Sequence, residues 1–142
     1  MTIKQLLDQK GREVYTIGPE ESVFEAIRRM AERGIGALVV VEGEEPVGIV
    51  TERDYARKVI LKGRSSKETP VREIMSAPVI FIRPEQTIEE AMALMTEKKI
   101  RHLPVLDQGR LGGMVSIGDV VRAIIENQRF VIDQLTSYIQ GS

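Results

Sequence analysis

The sequence has no cysteine and no tryptophan, and only three tyrosines and three phenylalanines among its 142 residues. Without cysteine there are no disulfides and no thiolate metal sites, which fits the cytosol. So few aromatics cannot furnish the stacking platforms of single-strand or RNA binders. The formal net charge is −1, so no broad basic field is available for nucleic acid. The longest apolar run, "IGALVVV", is far too short to span a bilayer. The start, "MTIKQLLDQKGREV", lacks the apolar core of a signal peptide. The expectation is a cytoplasmic protein that engages neither nucleic acid nor membrane. Its balance of 42% hydrophobic and 29% charged residues is that of a soluble globular chain long enough for one sizeable interior.

What the chain does have is a repeat. Residues 14–60, "VYTIGPEESVFEAIRRMAERGIGALVVVEGEEPVGIVTERDYARKVI", lie over residues 79–125, "VIFIRPEQTIEEAMALMTEKKIRHLPVLDQGRLGGMVSIGDVVRAII", at a constant offset of 65 with no gap. Identical pairs include Pro19/Pro84, Ala26/Ala91, Met30/Met95, Gly48/Gly113 and Asp54/Asp119. In each copy a short strand ("VYTI", "VIFI") precedes a helix opened by a capping box, Ser22 with Glu25 and Thr87 with Glu90. Apolar residues at helical spacing follow: Val23, Ala26, Ile27 and Met30, then Ile88, Ala91, Met92 and Met95. Two more strands and a second helix complete a β-α-β-β-α unit. One such unit is marginal in size, so the two are expected to pack together about a pseudo-twofold axis in an α/β (α+β) fold. The organisation reads as repeat 1 with its lead-in over 1–66, repeat 2 with the lead-in "VREIM" over 67–126, and a tail over 127–142. Val131, Leu135, Tyr138 and Ile139 extend a helical stripe into that tail. It either packs on its own domain or meets a second copy.

The corner "GIVTERD" (48–54) recurs as "GMVSIGD" (113–119). Thr51 with Asp54, and Ser116 with Asp119, sit where a strand hands over to a helix. Two readings stand. The spacing is that of a helix cap. It also suits a ligand grip, for three reasons. A glycine inside a strand marks close backbone approach. A helix amino end favours anions. And Asp, shorter than Glu, reaches back to the cap backbone less readily, leaving two acceptor oxygens for a vicinal diol such as ribose.

The gapless repeat, the two corners, "VREIM" and "RHLPVLD" together resemble a tandem pair of cystathionine β-synthase (CBS) domains, a Bateman module. The resemblance covers nearly the whole chain. It implies binding of adenine nucleotides (AMP, ADP, ATP, S-adenosylmethionine or NAD(H)) in two clefts between the repeats, with no metal. It also implies a regulatory module that senses energy or metabolite state, forms a homodimer and acts on a partner protein in trans. By the same resemblance, Asp54 and Asp119 take the ribose hydroxyls, helped by Thr51 and Ser116. Ile35 and Gly36 edge the adenine in the Asp119 cleft, with Gly11 and Arg12 behind it. Ile100 and Arg101 do so in the Asp54 cleft, with Met75, Ser76 and Ala77. For phosphates, Arg101 and His102 are expected to face the Asp119 cleft. Their equivalents Gly36 and Ala37 carry no charge, so the Asp54 cleft turns to Arg53. His102 reads equally as a structural residue, and Arg53 and Arg101 as solvated charges.

Catalysis is not expected. Ser116 and Asp119 are one helical turn apart and no nucleophile elbow accompanies them. No Walker loop, H-E-x-x-H or G-x-G-x-x-G is present. The alternative to a nucleotide sensor is a scaffold with empty clefts, used for dimerisation or interaction.

Overall fold

Ser22 and Thr87 do cap the helices that follow them, each hydroxyl accepting the N–H three residues on at 3.1 Å. The reciprocal half of the expected capping box is missing in both. Glu25 instead accepts from Arg28 and Arg29, and Glu90 accepts from Gln86. A computed structural model describes residues 1–141, and in it the helices order into two similar units, each with its own core.

In the first unit β1 (Thr16–Ile17) runs parallel to β2 (Ala37–Glu42), which pairs antiparallel with β3 (Glu45–Thr51). Preceding them in the chain is α1 (Ile3–Lys10). Helix α2 (Val23–Arg33) buries Val23, Ala26 and Met30 against this sheet. α3 (Glu52–Tyr55) leaves β3 and widens into a π-helical stretch over Ala56–Ile60. In the second unit β4 (His102–Asp107) and β5 (Arg110–Ser116) form the hairpin, and α4 (Ile88–Lys98) buries Ile88, Ala91 and Met95. α5 (Ile117–Gly141) then leaves β5.

The strand expected at "VIFI" is absent. Only Ile82 pairs, in an isolated parallel bridge with Val105. The reason lies across the gap. In the first unit the Val39 N–H donates to the Tyr15 carbonyl at 3.1 Å. The aligned residue is Pro104, which has no N–H to donate.

The lead-in segments are exchanged. Ile3, Leu6 and Leu7 of α1 belong to the core of the second repeat, with Ile82, Leu103 and Val115. Val71, which opens the short 3-10 turn Val71–Glu73, and Ile74, which follows it, belong to the core of the first, with Val23, Leu38 and Val50. The backbone repeats the exchange: Ile3 N–H donates to Gln86 and Val71 N–H to Glu21, both at 2.8 Å. Gln86 and Glu21 are themselves an aligned pair, so the two contacts express the pseudo-twofold relation. Each repeat therefore completes its core with chain that leads into the other.

The tail does not pack back on its own repeat. It is the second half of α5, one unbroken helix of 25 residues. Val120 and Ala123 are buried, whereas Phe130, Val131, Ile132, Leu135, Tyr138 and Ile139 are exposed. No proline interrupts residues 117–141 to turn the chain back. At about 1.5 Å per residue the helix runs for roughly 37 Å. Ser142 lies outside the described residues. Among those residues no helix is long and apolar enough to cross a membrane.

Candidate functional site

The repeated corner is a cap in both copies. The Thr51 N–H and hydroxyl donate to Asp54 Oδ2 at 3.0 and 3.1 Å, and the Asp54 N–H donates back to Thr51 Oγ1 at 3.1 Å. The Ser116 N–H donates to Asp119 Oδ2 at 2.8 Å, and the Asp119 N–H to Ser116 Oγ at 3.2 Å. The expectation that Asp is too short to reach back is therefore wrong. In β geometry the cap N–H points along the turn, and a single methylene suffices. The glycine of the corner also has another use than expected. A Cβ on Gly48 would stand 2.7 Å from the Ser76 carbonyl oxygen, and one on Gly113 would stand 2.8 Å from a Leu7 methyl. Both glycines make room for the exchanged lead-ins.

Nor does the α3 amino end offer free N–H groups to an anion in the way the sequence suggests. The Glu52 N–H donates to the Gly36 carbonyl at 3.1 Å, as the Ile117 N–H does to Arg101 at 2.8 Å. The Asp54 N–H is held by its cap. Any anion must be met chiefly by side chains.

Capping engages one oxygen of each carboxylate. The other meets a cation. Asp54 Oδ1 lies 3.1 Å from Lys58 Nζ, and Asp119 Oδ1 accepts from Arg122 at 2.8 Å. Both acids are nearly buried, with 9% and 8% of their surface exposed. Lys10 Nζ, at the end of α1, donates to Asp119 Oδ2 at 2.6 Å and to the Met114 carbonyl at 2.7 Å. Burial pushes the Asp119 carboxyl up, but Lys10 and the Ser116 N–H and hydroxyl outweigh it and hold it below its ordinary value. It is therefore a carboxylate at neutral pH.

Each acid lines a cavity built from both repeats. The Asp119 cleft, of about 600 Å³, gathers Ser116, Gly11, Ile35, Gly36 and His102, as the sequence places them. Arg12 is not there, because its guanidinium pairs with Asp8 on α1. Lys10, Glu13, Tyr15 and Met114 are there and were not anticipated. The Asp54 cleft, of about 490 Å³, gathers Thr51, Arg53, Ser76, Ile100 and Arg101. Met75 and Ala77 do not line it. Met75 turns instead toward Gly48, where a Cβ would meet its sulfur at 3.0 Å. Arg101 faces this cleft and not the Asp119 one, which corrects the expected source of phosphate partners. Arg57, Lys58 and Lys99 join it. Arg57 and Lys58 were findable as the residues one helical turn beyond Arg53 and Asp54. Lys99, aligned with Gly34 just past a helix end, gave no such signal.

The clefts meet at Gly36 and His102, which line both. Burial pushes the His102 imidazole down, and the Asp119 and Glu52 carboxylates only partly restore it. Its folded pKa thus lies below the ordinary value of 6.5. Such a group stabilises the fold fully above its unfolded pKa, and that stability is lost as pH falls through the folded value. His102 is the only histidine. The urea midpoint should therefore drop as the pH falls below about 6.5, and His102→Gln should flatten that slope. An unchanged slope in the variant would assign the titration to another group. Among the described residues, no three His, Cys, Asp or Glu side chains gather as a metal site.

Comparison with known proteins gives a consistent result. The family model described as CBS domain matches residues 10–61 and 71–126. The mitochondrial CBS domain-containing protein CBSX3 of Arabidopsis thaliana is 43% identical over 149 residues, which cover 99% of this chain and 72% of that protein. A solved CBS-domain protein from Burkholderia ambifaria MC40-6 superposes with a TM-score of 0.86 at 54% identity, covering 90% of this chain and 96% of that one. The fold is also that of the CBS domain pair of protein MJ0100, solved in complex with 5′-methylthioadenosine and S-adenosyl-L-methionine (TM-score 0.79, 24% identity, covering 89% and 98%).

Proposed function

Because the chain belongs to the CBS domain family, as a tandem pair of its repeats, we propose that it binds adenosine-containing nucleotides in the two clefts and reports them by a change in its own shape or association. The observation that carries this reading is the placement of Asp54 and Asp119. Each is a buried carboxylate lining a cavity walled by both repeats, with one oxygen held by a side-chain cation and not by the cap. That oxygen suits a ribose diol, whose hydroxyls would replace the Lys58 or Arg122 contact. Apolar side chains line the same cavities, Ile35 and Tyr15 in one, Ile100 and Ile80 in the other, and suit the faces of a purine. A ligand held by both repeats biases their relative placement only as far as its affinity differs between two arrangements. The role in this reading is regulatory, exerted on a partner protein in trans.

Thermal shift tests this directly. AMP, ATP or NADH at about 100 times its dissociation constant should stabilise the fold by about 2.7 kcal/mol. No shift with any adenylate would favour the second reading, an empty-cleft scaffold. One observation supports that alternative: Lys10 and Arg122 already neutralise Asp119 within the chain.

We further propose that the protein is a homodimer, with the exposed apolar stripe of α5 as part of the contact. Ile125, Ile132 and Ile139 recur every seventh residue, with Leu135 beside them, and all four are exposed. Such a stripe, with Phe130, Val131 and Tyr138 also exposed on the same helix, suits a second helix of the same kind. Light scattering should read a dimer for the wild type and a monomer for Ile132→Asp/Leu135→Asp. An unaltered mass in that variant would remove α5 from the contact.

A further inference from the structure

Most lining positions of the two clefts correspond at the offset of 65, but their charges do not. Resting on the reading that both receive adenosine-type ligands, we propose that the Asp54 cleft is the site for a nucleoside polyphosphate and the Asp119 cleft the site for a nucleoside without phosphates.

Four substitutions within the repeat separate them. At the constant offset of 65, Lys99 stands where the first repeat has Gly34, Arg101 where it has Gly36, and Arg53 and Lys58 where the second repeat has Gly118 and Ala123. The Asp54 cleft is lined by five cations (Arg53, Arg57, Lys58, Lys99 and Arg101) against two carboxylates, Glu52 and Asp54. The Asp119 cleft is lined by one cation, Lys10, against Glu13 and Asp119.

The cations also differ in what they do. Lys10 is committed to Asp119 and to the Met114 carbonyl. Arg122, the aligned partner of Arg57, is likewise bound to Asp119 at 2.8 Å. The positive charge at the Asp119 cleft is thus spent on its own carboxylate. Glu13 adds an acid beside it, fixed by the Tyr15 hydroxyl at 2.8 Å. At the Asp54 cleft only Lys58 is so engaged. Among the described residues Arg53, Arg57, Lys99 and Arg101 form no ion pair. Like charges gathered at one mouth repel each other. A chain of phosphates relieves that repulsion and supplies acceptors for forked guanidinium donors. Lys99 adds an independent mark. Its φ is 56°, in the left-handed region, where the aligned Gly34 sits at 65°. A side chain is disfavoured there relative to glycine. The position holds lysine at a conformational cost, and what it gains is a charge at the cleft.

The test is calorimetry on the full chain with ATP and with adenosine. Lys99→Gly/Arg101→Gly gives the Asp54 cleft the residues that the other cleft has. ATP affinity should fall by about 100-fold, on the order of tenfold for each charge-assisted contact. Its dependence on salt should weaken, and adenosine affinity should stay within about twofold. Melting without ligand should not fall, because Lys99→Gly relieves the left-handed residue. ATP binding that survives the double change, or that is lost in Asp119→Ala and kept in Asp54→Ala, would overturn the assignment while adenosine binding preserves the broader reading. Failure of both ATP and adenosine to bind the wild type would overturn both.

Discussion

Gly48→Ala is expected to lower stability by about 2–3 kcal/mol, and Gly113→Ala by clearly less, near the ~1 kcal/mol lower end of overpacking effects. The residues are aligned and occupy the same place in the corner, but their neighbours differ in stiffness. A Cβ at Gly48 would lie 2.7 Å from the Ser76 carbonyl oxygen and 3.0 Å from the Met75 sulfur. That carbonyl cannot step aside, because Ser76 and Ile49 exchange reciprocal backbone bonds of 3.1 and 2.9 Å. A Cβ at Gly113 meets only the methyls of Leu7, at 2.8 and 2.9 Å, and these turn with a rotamer change. At roughly 3 °C per kcal/mol for a chain of this length, Gly48→Ala should melt about 6–9 °C lower. Scanning calorimetry of the two variants decides it. Equal losses would mean that the second lead-in is as yielding as a leucine side chain. Because Ser76 also lines the Asp54 cleft, Gly48→Ala should disturb ligand binding there and spare the Asp119 cleft.

Asp54→Ala removes two things at once, and Asp54→Asn separates them. The alanine variant loses the acceptor for the Thr51 N–H, a cap loss of about 1 kcal/mol. On the proposed function it also loses charge-assisted bonds to the ligand worth about 1.5–3 kcal/mol, roughly 10- to 150-fold in affinity. Asparagine keeps one oxygen for the cap and turns its NH2 toward Lys58 and the cleft mouth. Its stability should return close to that of the wild type, while ligand affinity stays reduced by about tenfold or more. Calorimetric titration beside urea melts reads both quantities. Wild-type affinity in Asp54→Asn would reduce the corner to a helix cap and nothing more. The same pair of changes at Asp119 carries an added loss, since Lys10 and Arg122 would be left without their carboxylate.

Much of this was legible in the chain itself. The gapless offset established two copies, and the 3.6-residue spacing of Val23, Ala26 and Met30 and of Ile88, Ala91 and Met95 established which helix faces are buried. Even the missing strand at "VIFI" was written there, since Pro104 stands where Val39 supplies a donor. The site was legible only in part. Thr51–Asp54 and Ser116–Asp119 were identifiable as corners, and Ile35 and Ile100 as edges. Arg101 lines the Asp54 cleft, as its place beside the adenine required, but not the Asp119 cleft as a phosphate partner, and Arg12, Met75 and Ala77 were placed in clefts they do not line.

The sequence by itself determined the repeat, through its constant offset, and the helices, their hydroxyl caps and the pairing of each hydroxyl with its Asp, because these last depend on residues within one turn of each other. The tertiary structure alone decided that the lead-ins cross to the opposite repeat, that Gly48 and Gly113 make room for them, and which cations converge on which carboxylate. Lys10 reaches Asp119 across 109 positions of chain. The direction of a side chain at such a distance depends on how two halves dock, and no periodicity within either half encodes it.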